Sequence, residues 1–71
     1  MESFGHRLAD LRHRSNLRQS DVASACSVTV QAVSKWERGL SCPDILILDD
    51  LAKVLQVPIQ DIFDTSSIKN Q

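Results

Sequence analysis

The sequence predicts a compact all-α domain of five short helices. Two observations carry that expectation. No segment sustains an alternation of apolar and polar residues, and no Asn-Gly or Asp-Gly pair marks a hairpin turn. Apolar residues instead recur at three- and four-residue spacing, in short runs separated by capping and turn residues. At 71 residues, with 42% hydrophobic and 24% charged, the chain reads as one globular domain and not a disordered segment. A chain this short buries only part of its unfolded surface, so dimerisation is an expectation.

The first helix is expected from Phe4 to Ser15. Phe4, Leu8 and Leu11 share one face, Ser3 is a suitable N-cap, and Asn16 can adopt the left-handed conformation that ends a helix. The second spans Gln19 to Cys26, with Val22, Ala23 and Cys26 inward and Asp21 suited to the positive end of the helix dipole. The third spans Val30 to Arg38, capped by Thr29 and stopped by Gly39, with Val33 and Trp36 on its inner side. The fourth begins near Asp44, after Pro43, and ends near Leu55; Ile45, Leu48, Leu51, Ala52 and Leu55 form its buried stripe. The fifth is a short turn from Pro58 to Phe63, with Val57 and Ile62 spaced as a hydrophobic staple. The domain is therefore placed at residues 4–63 and a polar, frayed tail at 64–71.

Several function classes find no support. No apolar run approaches the ~20 residues of a membrane span, and the N-terminus lacks the apolar centre of a secretory signal. Cys26 and Cys42 are widely spaced, which suits a reducing cytoplasm better than a disulfide framework. His6, His13, Cys26 and Cys42 make no zinc pattern, so no metal is expected. The two glycines, Gly5 and Gly39, cannot form a phosphate-cradling loop, and no Gly-x-Ser-x-Gly elbow occurs. Neither catalysis nor a cofactor is expected.

The net charge of −1 is unevenly spread. Residues 1–38 carry six basic against four acidic residues, whereas residues 39–71 carry two against five. The halves are thus +2 and −3, a distribution equally compatible with scattered surface charge and with an anion-facing first half.

The informative stretch is Leu17 to Gly39, where Ser27-Val28-Thr29 separates two short helices. Leu17-Arg18-Gln19, Val22-Ala23, Val28-Thr29 and Val33-Ser34-Lys35-Trp36-Glu37-Arg38-Gly39 resemble the lambda-repressor-like, or XRE, helix-turn-helix family. The likeness continues through Pro43, Leu48, Leu51-Ala52-Lys53-Val54-Leu55 and Val57, covering Leu8 to Phe63. The resemblance implies a five-helix lambda-repressor-like fold whose third helix lies in the major groove of double-stranded DNA. At about 3.6 residues per turn, Val30, Gln31, Ser34, Lys35 and Arg38 fall on one broad face, with Val33 and Trp36 opposite.

That implication gives each residue a chemical role. Gln31 can pair with adenine N6 and N7, Lys35 can donate to guanine or hold a phosphate, Val30 can touch a thymine methyl, and Ser34 can reach a base edge or a phosphate. Gln19 matches a phosphate-contacting position of the family, beside a helix N-terminus that suits anions. Ser24, Thr29, Arg18 and Arg38 are further backbone contacts. Arg12 and Glu37 match positions that form a partly buried ion pair in the family.

The chain departs from the family pattern in four places. Ser27 stands where a glycine is usual, at a cost on the order of 1 kcal/mol if the position needs positive φ. Arg18 replaces a threonine cap. Leu40-Ser41-Cys42 replaces a loop that is often basic, which predicts modest non-specific affinity. Leu46 and Ile47 are apolar where polar residues are usual, and with Phe63 and Ile68 they form a candidate self-association surface. The expectation is a cytoplasmic, prokaryotic or phage-encoded regulator, acting as a repressor and binding a palindromic operator as a homodimer. With 71 residues, no effector-binding domain is expected. The alternative is an interaction module, an antitoxin or adaptor, using helices four and five to hold a protein partner.

Overall fold

Local sequence signals fix where each helix begins and ends. The computed structural model describes residues 4–63. Four α-helices follow in order: α1 at Phe4–Arg14, α2 at Gln19–Cys26, α3 at Val30–Glu37 and α4 at Ile45–Leu55. The fifth element is one turn of 3-10 helix at Ile59–Ile62, not an α-helix. Val57-Pro58 supplies its start, and four residues are too few to close more than a single turn. Ser3, Ile68 and the tail at 64–71 lie outside the described residues.

The caps explain the boundaries. Thr29 Oγ1 accepts from the Ala32 amide at 3.1 Å, and Asp44 Oδ1 accepts from Leu46 and Ile47 at 3.1 and 3.2 Å. Arg18 offers no acceptor at the start of α2; the Asp21 carboxylate instead accepts the Arg18 backbone N–H at 2.8 Å. That bond, with the nearby Arg18 charge, outweighs partial desolvation and holds the Asp21 carboxyl below its usual range. Asn16, at φ 58°, ends the first helical segment in the left-handed region, and Gly39 does the same after α3 at φ 78°. Ser27 and Gln56 also adopt this conformation, at φ 57° and 59°. Ser27 therefore carries the strain that its replacement of glycine implies.

The core is one apolar cluster. Leu8 and Leu11 of α1, Val22, Ala23 and Cys26 of α2, Val33 and Trp36 of α3, Leu51, Ala52 and Leu55 of α4, and Ile62 are all buried. α1 packs on α3, α2 on both α3 and α4, and the closing turn on α1 and α4. Arg7 Nε fastens that turn by donating to the Asp61 carbonyl at 2.8 Å. Phe63 lies against Phe4, with ring centroids 5.9 Å apart. Burial, then the charge of Asp50, pushes the Cys26 thiol up from its ordinary value, as expected for a core cysteine.

Two side chains on α4 differ from expectation. Ile45, expected in the buried stripe, is 78% exposed. Ile47, expected outside, is half-buried and packed against the core. Ile45 opens the helix directly after its Asp44 cap, and the inward stripe begins only at Ile47 and Leu48. Among the described residues no helix is long and apolar enough to cross a membrane.

Candidate nucleic-acid interface

α3 presents two chemically distinct sides. Projected at about 100° per residue, Val30, Gln31, Ser34, Lys35 and Arg38 occupy the outward arc. Gln31, Lys35 and Arg38 are exposed, Val30 is 41% exposed and Ser34 is half-buried. Val33 and Trp36 fill the inward arc and are buried. The outward side thus offers amide, ammonium and guanidinium donors around one apolar residue, the set that major-groove base edges and phosphates require.

Pairing within this face sets what each group can still do. Arg38 Nε donates to the Ser34 carbonyl at 3.3 Å and to Ser34 Oγ at 3.2 Å. Ser34 therefore braces Arg38, a link the sequence reading missed although the four-residue spacing was a signal for it. The Thr29 hydroxyl accepts from Ala32 and keeps its own hydrogen to donate. Ser24 is exposed on α2. Arg18 is exposed beside Gln19, its Nε 3.6 Å from Asp21 Oδ2. A helix start without a side-chain acceptor leaves first-turn amides for solvent or an anion.

Beneath this face lies a polar seam. Arg12 Nε and Nη2 donate to Glu37 Oε2 and Oε1 at 2.7 and 3.0 Å, the forked geometry of a strong guanidinium–carboxylate pair. Arg12 Nη1 donates to the Leu17 carbonyl at 2.9 Å. Gln19 Nε2 donates to Glu37 Oε1 at 3.0 Å. The two charged side chains retain 10% and 8% exposure, so the pair is buried. Burial pushes the Glu37 carboxyl up, but the hydrogen bonds from Arg12 and Gln19 and the charges of Arg12 and His13 outweigh it and hold it below its ordinary value. One carboxylate thus joins α1, the loop after it, the start of α2 and the end of α3.

Gly5 makes that junction tight. A Cβ placed there would sit 2.5 Å from the Glu37 carbonyl oxygen and 2.6 Å from that of Trp36. Only a glycine lets α1 approach the end of α3 so closely. Sequence reading did not find this, because a close approach between distant segments leaves no periodic mark.

The other candidate surface is divided. Leu46 is 80% exposed at the start of α4, with Ile45 beside it, whereas Ile47 faces the core. Phe63 is partly covered by Phe4. Among the described residues no group of His, Cys, Asp and Glu side chains is arranged to hold a metal ion.

Residues 8–62 match a family profile described as Helix-turn-helix. The HTH-type transcriptional regulator DdrOP3 of Deinococcus deserti is 33% identical over 58 residues, 82% of this chain and 45% of that protein. The chain thus spans less than half the length of this relative. The restriction-modification controller protein C.AhdI from Aeromonas hydrophila superposes with a TM-score of 0.79 at 28% identity, over 84% of this chain and 91% of that one. The P22 c2 repressor, solved in complex with synthetic operator 9T in the presence of Tl+, superposes with a TM-score of 0.83 at 26% identity, over 90% of this chain and 97% of the other.

Proposed function

The chain belongs to this lambda-repressor-like helix-turn-helix family, and we propose that it is a sequence-specific DNA-binding transcriptional regulator that lays α3 in the major groove. The observation that carries the reading is the outward side of α3, where polar and cationic groups stand free of core duty. Gln31 and Lys35 read base edges, each good bidentate contact being worth about 1–3 kcal/mol of discrimination. Val30 packs on a thymine methyl. Ser34 steers Arg38 toward a phosphate and reaches a base edge where the two part. Arg18, Gln19, Ser24 and Thr29 contact the phosphate backbone and set the register of the helix.

The proposed regulator is a repressor and acts as a homodimer on a palindromic operator with half-sites about one helical turn, ~10 bp, apart. The likeness to an operator-bound repressor supports this. Exposed Leu46 at the start of α4, together with Phe63, forms the proposed contact between copies. A second reading has α4 and the closing turn hold a different protein, with the exposed Ile45 and Leu46 side chains as its apolar contact.

Selection from a random duplex library, followed by binding to the enriched duplex across a salt series, tests the proposal. The expected result is a two-fold palindrome whose affinity falls steeply as salt rises. An unenriched library would reject the operator reading and favour the protein-partner one.

A further inference from the structure

The Glu37 carboxylate does more in this structure than neutralise Arg12. Its Oε1 accepts twice, from Arg12 Nη2 and from Gln19 Nε2, both at 3.0 Å. A carboxylate is acceptor-only when ionised, so it fixes which end of the Gln19 amide faces it. The amide nitrogen turns toward Glu37, and its second N–H remains to be donated elsewhere. Gln19 itself opens α2 and is half-buried, with its backbone beside the Arg18 charge. A glutamine free in solvent must instead select one rotamer among many when it binds.

We infer that Glu37 is a positioning residue for DNA: held by Arg12, it locks the Gln19 amide in advance so that its second N–H is presented to a backbone phosphate. The inference rests on the DNA-binding reading above. It makes a prediction opposite in sign to simple electrostatics. Replacing an acidic side chain near a DNA-facing surface removes repulsion and ordinarily tightens binding. Here the loss of the carboxylate frees Gln19, and the ordering cost of one long side chain returns at the moment of binding, equivalent to about a 2- to 10-fold loss of affinity.

Fluorescence anisotropy with a labelled mixed-sequence duplex at low salt tests this on four proteins: wild type, Gln19→Ala, Glu37→Met and the double variant. Circular dichroism establishes that each is folded. Glu37→Met, which leaves no acceptor for the Gln19 amide, is expected to weaken binding about 2- to 10-fold in the wild-type background and to leave it unchanged or tighter in the Gln19→Ala background. Equal weakening in both backgrounds would mean that Glu37 acts through the fold alone, and would overturn the inference. So would a Gln19→Ala variant that binds as wild type does. If Glu37→Met unfolds the chain, Glu37→Asp replaces it, since the shorter side chain keeps a carboxylate for Arg12 while withdrawing it from Gln19; the same two outcomes are read. A wild-type chain that binds neither this duplex nor any duplex enriched from a random library would reject the DNA-binding reading itself, and the inference with it.

Discussion

Two seams hold the helices together, and they work by different physics. Under α4 the seam is apolar, with Leu51, Leu55 and Ile62 fully or almost fully buried against the neighbouring helices. Under the outward face of α3 it is polar, with Arg12, Glu37, Gln19 and the Leu17 carbonyl joined by short hydrogen bonds. Apolar contact is non-directional and fixes mainly how close two helices come. A forked guanidinium–carboxylate pair is directional and fixes how they are oriented. The directional seam joins α1, α2 and α3, the helices whose relative angles set how the proposed DNA-facing side of α3 is presented.

The strongest way to break this contrast is to remove one partner of the ion pair. Arg12→Ala leaves a buried carboxylate unpaired and is expected to cost roughly 3–5 kcal/mol, enough to unfold much of so small a domain. Leu51→Ala is expected to cost about 2–5 kcal/mol through the cavity it leaves. Urea unfolding followed against pH tells the two apart. Because the folded state holds the Glu37 carboxyl below its unfolded value, the stability it contributes is complete above the ordinary glutamate range. It is lost as pH falls through the folded-state value. The gap between wild type and Arg12→Ala should therefore narrow on acidification, while the gap to Leu51→Ala stays constant. A gap to Arg12→Ala that ignores pH would show that the pair does not carry the seam.

A smaller effect sharpens the contrast from the backbone side. Gly5→Ala forces the new methyl against the Trp36 and Glu37 carbonyls and should cost about 1–3 kcal/mol as α1 moves off the end of α3. Thermal unfolding measures it, and an unchanged midpoint would mean that the two helices are free to separate. The smallest effect lies in the turn before α3. Ser27→Gly relieves a left-handed serine and should raise stability by up to about 1 kcal/mol. A lower midpoint for this variant would show that the serine is not strained.

The elements of the fold were legible because caps and apolar spacing are local signals. Thr29, Asp44, Asn16 and Gly39 mark helix ends in the sequence and occupy those ends in the structure. The inward and outward sides of α3 followed from spacing alone. The Arg12–Glu37 pair came only from family resemblance, since 25 residues separate the partners. The Gln19–Glu37 bond and the close approach at Gly5 were not legible, because both depend on how two helices cross. Ile45 misled for a related reason: periodicity places it in line with Leu48 but does not say which turns of a helix are covered by a neighbour.

The contrast between the outward side of α3 and the exposed start of α4 is also the central question of function, and one spectrum addresses it. Amide chemical shifts of the labelled chain, recorded as the duplex selected from a random library is added, would map the surface that meets DNA. The largest changes are expected at Arg18 and Gln19 and from Thr29 to Arg38. Changes confined to Ile45 and Leu46, with α3 undisturbed, would contradict the proposed docking of α3.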